Sequence, residues 1–125
     1  MDKIENPKQY DLEDRTLEFG KKVRIFVKSL PKTIGALEDG KQVVRSSGSV
    51  GANYIEANES LSKKDFLHRI RISRKESKES RYWLEMLEVE TVNNPILEKE
   101  RKMLLLESNE LLKILSSILF KSQQS

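Results

Sequence analysis

Apolar residues return at steps of three and four through most of the chain, the spacing of helices that each bury one face. Four stretches carry the pattern. In 11–30 the stripe is Leu12, Thr16, Phe19, Val23, Phe26, Val27 and Leu30, wide enough for a bundle face. Asp11, Glu13 and Asp14 near its start and Lys28 near its end suit the helix dipole, and Pro31 stops it. In 33–58, with Thr33 as N-cap, the stripe is Leu37, Val44, Gly48, Gly51, Ala52 and Ile55. In 62–92 it is Phe66, Ile70, Ser73, Ser77, Ser80, Leu84 and Leu87, a helix of about 45 Å. Ser62 and Asp65 open that helix as a capping box with Asp in place of Glu. Asn93-Asn94-Pro95 closes it. In 96–120 the stripe is Leu97, Leu104, Leu105, Leu111, Leu112, Leu115, Ile118 and Leu119. Connections this short make neighbouring helices antiparallel. The pattern therefore predicts an all-α fold, an up-down-up-down four-helix bundle forming one domain over 11–120. Residues 1–10 are expected to be a flexible lead, with Pro7 delaying helix entry, and 121–125 a frayed tail.

The second stretch has a competing reading. Gly40, Gly48 and Gly51 each cost a helix about 1 kcal/mol relative to Ala, and SGSVGAN resembles a phosphate-cradling turn. No strand precedes it, and no Lys-Ser/Thr pair follows a second glycine. A helix whose small residues admit a neighbouring backbone fits better.

Three helices hold more apolar residues than one stripe needs. Helix 1 adds Leu17 and Ile25; helix 2 adds Val43, Val50, Tyr54 and Ala57; helix 3 adds Ile72, Tyr82, Trp83, Met86 and Val89. Large apolar surplus marks association surfaces, and Trp and Tyr are enriched in them. A homo-oligomer is expected, with Val43, Val50, Tyr54, Ile72, Tyr82, Trp83 and Met86 at the subunit interface. The alternative is that the aromatic residues cover bundle edges within one subunit.

Composition narrows the chemistry. Hydrophobic content of 37% with 34% charged residues, five glycines and three prolines suits amphipathic helices. There is no cysteine, so disulfides and thiolate metal sites are excluded. No apolar run has the length of a signal peptide core or a membrane span, so a cytoplasmic protein with no membrane partner is expected. A ferritin-like dimetal site needs a Glu-x-x-His pair on each of two helices, and the chain has one histidine, in Asp65-x-x-His68. No metal, cofactor or catalytic residue is expected, and no enzyme.

Charge is unevenly placed. Residues 62–84 hold eight Lys/Arg against three Asp/Glu, a net of +5, while 85–110 carry a net of −4. Opposite the core stripe of helix 3 run Lys64, His68, Arg71, Lys75 and Lys78, flanked by Arg74 and Arg81. Such a line can follow a phosphate backbone and release counterions, and Tyr82 extends it toward base stacking. RNA or DNA is one expected partner. The other reading is a structural scaffold whose basic stripe meets the acidic segment of a neighbouring subunit or a protein.

Residues 45–87 resemble a known family. Gly51-Ala52-Asn53, Glu56-Ala57, Ser62-Lys63-Lys64-Asp65-Phe66, Lys75-Glu76 and Tyr82-Trp83-Leu84 are similar to the pattern of the four-helix bundle proteins encoded by intervening sequences in bacterial 23S ribosomal RNA genes. The resemblance implies an antiparallel bundle assembled as a ring-like homopentamer. It extends to the accessory protein of diversity-generating retroelements, which implies nucleic acid and a reverse transcriptase as partners. It implies no catalytic residues.

Overall fold

The computed structural model describes residues 7–124, with side chains from Leu12 onward. It is an all-helical bundle. Five helical segments occur among the described residues: α1 (Pro7–Lys28), α2 (Ile34–Asn58), α3 (Lys63–Met86), α4 (Glu88–Thr91) and α5 (Pro95–Gln124).

The boundaries follow local chemistry. Pro7 stands at the first position of α1, where its missing N–H costs nothing, so it starts the helix instead of delaying it. Residues 1–6 of the expected lead lie outside the described residues. Thr33 caps α2 by accepting from the Ala36 N–H, and Ser62 caps α3 by accepting from the Asp65 N–H. Asn94 accepts from the Leu97 N–H ahead of α5, and Pro95 takes the first helical position. The expected frayed tail is helical as far as Gln124.

The third expected helix is broken at Leu87, whose ψ is −3°. The cause is Arg101, 4% exposed on the core side of α5. Its guanidinium donates to the Leu84 carbonyl at 3.1 Å, the group that the Glu88 N–H would reach in an unbroken helix. Four residues then rewind as α4 before the turn to α5.

Helix α1 packs on α2, α2 on α3, α3 on α5, and α5 returns to α1, with the α2–α3 seam the most extensive. Residue numbers rise on one helix as they fall on the next. Thr16 meets Gly51 and Val27 meets Gly40; Ser80 meets Ser46 and Ser73 meets Val50; Ser77 meets Ser108 and Leu84 meets Arg101.

The buried faces of α1, α3 and α5 are those the stripes predict. Helix α2 is turned the other way. Val43 and Val50 are fully buried and Tyr54 nearly so, so these three belong to the subunit's own core and have no surface to offer another chain. Leu37 and Ile55, expected inside, are about half exposed, at 49% and 48%. The reason is the small residues. Gly40, Ser46, Ser47, Gly51 and Ala57 share the buried face with Val43 and Val50, and they let α1 and α3 close on the helix. A Cβ at Gly51 would lie 2.8 Å from Thr16 Oγ1, and one at Gly40 would lie 2.9 Å from a Val27 methyl. The glycine-containing stretch is therefore helix, with close approach to α1 as the use of two of its glycines.

Candidate functional site

Helix α3 lies between α2 and α5, so only its outward strip meets solvent. Four serines, Ser46 on α2 and Ser73, Ser77 and Ser80 on α3, make the flanks close. Ser73 donates to the Val50 carbonyl at 2.7 Å, Ser77 to the Ser108 carbonyl at 2.9 Å, and the Ser46 and Ser80 hydroxyls meet at 2.8 Å. Each buried hydroxyl thus has a partner, which burial requires.

The outward strip carries Lys64, His68, Arg71, Arg74, Lys75 and Lys78, all exposed. Among the described residues, no ion pair or side-chain hydrogen bond involves any of these six. Two acids of the same helix, Asp65 and Glu85, are exposed near its ends. Glu76 and Glu79 face α2, where Arg45 bonds both; the Arg45–Glu76 contact is 3.3 Å. Arg69 reaches Asn53 at 3.1 Å. Arg81, expected to flank the stripe, turns to Asn109 of α5 at 3.1 Å and is half-buried, so it is a packing contact of the α3–α5 seam. What remains outside is a line of five cations and one histidine, spanning about 21 Å from Lys64 to Lys78.

Tyr82 and Met86 are exposed beyond the end of this line, at 54% and 44%. Ile72 and Trp83 are half-buried on the same helix. Tyr82 and Trp83 make an edge-to-face pair, with centroids 5.0 Å apart.

The strongest ionic cluster lies at the break between α3 and α5. Glu98 accepts from Arg101 at 2.9 and 2.7 Å and from the Thr91 hydroxyl at 2.6 Å. Glu88 stands 3.8 Å from the same guanidinium. The Arg101 hydrogen bonds, then Thr91, hold the Glu98 carboxyl down at about 2. Its geometry is that of a clamp on the chain break, with all donors satisfied internally. One signal in the sequence marks it: Arg101 falls between Leu97 and Leu104 in the apolar stripe, three residues after Glu98.

Between α1 and α5 lies an open groove of about 370 Å³, lined by Asp14, Arg15, Glu18, Phe19, Lys22 and Glu107 among others. The Arg15–Glu107 pair crosses it at 2.7 Å. Among the described residues, no three His, Asp or Glu converge on one point, and no helix is long and apolar enough to cross a membrane.

Five residues of the motif pattern are accounted for by architecture. Gly51 admits Thr16, Asn53 holds Arg69, Ala57 is buried, Ser62 caps α3, and Glu76 pairs with Arg45.

Comparison with known proteins agrees. The profile of the 23S rRNA-intervening sequence protein family matches residues 8–117. A crystal structure at 1.70 Å of a protein of unknown function from the S23 ribosomal protein family of Bacteroides thetaiotaomicron is 31% identical. It superposes with a TM-score of 0.70 over 86% of this chain and 97% of that one. No curated protein matches. The chain belongs to the 23S rRNA-intervening sequence protein family.

Proposed function

We propose that the protein is a non-enzymatic, cytoplasmic bundle that binds nucleic acid along the outward strip of α3. One observation carries the reading: Lys64, Arg71, Arg74, Lys75 and Lys78 stand exposed with His68 and make no ion pair among the described residues. Cations that stabilise a fold usually have acids within reach. Here Glu76 and Glu79 are drawn aside by Arg45, and between Lys64 and Lys78 the outward line carries only cations and one histidine. A single-sign line concentrates polyanions and is screened by salt.

The finer architecture belongs to the same proposal. The opposed residue numbering along the α1–α2, α2–α3 and α3–α5 seams supports an antiparallel bundle of four long helices, with α4 as the remnant of the broken third. A ring-like homopentamer would place five such strips on one assembly and multiply their effective concentration.

The test is the salt dependence of binding to a mixed-sequence oligonucleotide, with Lys75→Glu/Lys78→Glu as the variant. Removal of two phosphate contacts should weaken binding at low salt and flatten the slope of log K against log salt by about 1.4. Unchanged affinity and slope would leave the strip to a protein partner, the scaffold reading.

A further inference from the structure

The basic strip ends in an aromatic ring. From Lys78 a step of four along α3 stays on the same face and arrives at Tyr82, which is 54% exposed. Trp83 meets that ring edge-on, at 80° between planes. Trp83 is itself half-buried, and its indole nitrogen is buried without a hydrogen-bond partner among the described residues. The half-buried indole thus braces Tyr82, whose side chain stays more than half exposed.

Two features decide what kind of nucleic acid suits this surface. First, a helix reads a duplex by entering the major groove, about 12 Å wide. Helix α3 has α2 against one side and α5 against the other, at the roughly 8–10 Å separations of packed helices. The bundle is too broad to follow α3 into a groove, so the base edges of a duplex stay out of reach. Second, Lys64, His68, Arg71, Lys75 and Lys78 rise by about 4.5–6 Å from one to the next. Flexible Lys and Arg side chains at this spacing can track the phosphates of one strand. The exposed Tyr82 ring at the end of the line can take only a base that is unpaired and unstacked, which a single strand offers and a duplex does not.

We propose that the strip and Tyr82 together form a site for single-stranded nucleic acid. The cations track the extended backbone, and a base at the end of the track stacks on Tyr82. This rests on the nucleic-acid reading of the strip and adds to it the strand class and the stacking residue.

The experiment uses the full chain, a fluorescently labelled mixed-sequence single strand, and the same sequence as a duplex. The single strand should bind more tightly. Tyr82→Ala should weaken it about tenfold without changing the salt slope, and Tyr82→Phe should restore binding. The chain has one tryptophan, so stacking on Tyr82 should alter Trp83 emission in the parent and not in Tyr82→Ala. Duplex binding as tight as single-strand binding, or full affinity in Tyr82→Ala, overturns the proposal. The basic-strip reading survives that result if Lys75→Glu/Lys78→Glu still loses binding, and falls with it if that variant binds normally. A lower molar mass of Tyr82→Ala in light scattering, with equal loss on single strand and duplex, also overturns the proposal and makes Tyr82 a subunit contact.

Discussion

Gly48 and Gly51 stand three residues apart in α2 and answer to different constraints. A Cβ at Gly51 would sit 2.8 Å from Thr16 Oγ1 and 3.0 Å from Thr16 Cβ, so α1 would have to move. A Cβ at Gly48 would meet only the Arg24 guanidinium, at 3.7 Å, an ordinary contact with the end of a flexible side chain. Intrinsic propensity favours Ala over Gly by about 1 kcal/mol at either place. Gly48→Ala should therefore stabilise the fold by about 0.5–1 kcal/mol. Gly51→Ala should destabilise it by about 1–3 kcal/mol, the cost of inserting a methyl group into a packed seam. Denaturant unfolding of the two variants checks this, and equal effects would mean that the α1–α2 approach does not depend on Gly51. The glycines also show what hydropathy can see. It registers that small residues recur, and it carries no contrast that says which of them touches a neighbour.

At the scale of elements, α1 and α5 were legible because each has one stripe of large or medium residues opposite a charged face. Helix α3 was legible because Phe66, Ile70, Leu84 and Leu87 fix the phase of a stripe whose middle is serine. Helix α2 was not. Its buried face is largely Gly, Ser and Ala, so the bulkier Leu37, Val44 and Ile55 outweighed it in the pattern, and the two faces were exchanged. The break at Leu87 was hidden for another reason: it arises from a tertiary contact, the Arg101 guanidinium on the Leu84 carbonyl, and local propensity at Leu87 says nothing of it. That clamp is pH-dependent with a definite sign. Glu98 has a carboxyl near 2 in the folded chain against 4.5 for the free group. Ionised Glu98 therefore stabilises the fold fully above about pH 5, and the contribution is lost as pH falls toward 2. Thermal unfolding followed from pH 6 down to pH 3 should show a falling midpoint in the parent and a flatter profile in Glu98→Gln. Arg101→Met should cost about 3 kcal/mol at neutral pH, because the partly buried Glu98 then keeps its charge with only the Thr91 hydroxyl at 2.6 Å and the more distant Lys102 at 3.8 Å as partners. A parent-like pH profile for Glu98→Gln would show that other carboxylates govern the acid limit.

For the whole molecule, the exchange of faces on α2 relocates the surplus apolar surface without removing it. Leu37, Val44, Gly48 and Ile55 follow one another at steps of seven, four and seven, which keeps them on one side of the helix. Leu37 and Ile55 are about half exposed, while Val44 and Gly48 are half-buried, with Arg24 of α1 beside Gly48. A monomer has no need of that line, whereas a neighbouring subunit packed on it would remove apolar area worth about 25 cal/mol per Å² from water. The expected subunit contact therefore moves from Val43, Val50 and Tyr54 to this outer line. A chain of 14.5 kDa in the ring proposed above should scatter light as a fivefold multiple of its own mass. Leu37→Lys/Ile55→Lys places two charges on the line and should lower the mass toward that of one chain. Helicity by circular dichroism should be unchanged, since neither side chain is in the core. A parent that already runs as a monomer would remove the oligomer altogether. A variant that keeps the parent's mass would place the contact on another face, with Tyr82 and Met86 the next to test. The same variant separates assembly from the charge of a single strip. If five strips act together, its apparent affinity for a long oligonucleotide should fall well below the parent's, while its affinity for a short one should not change.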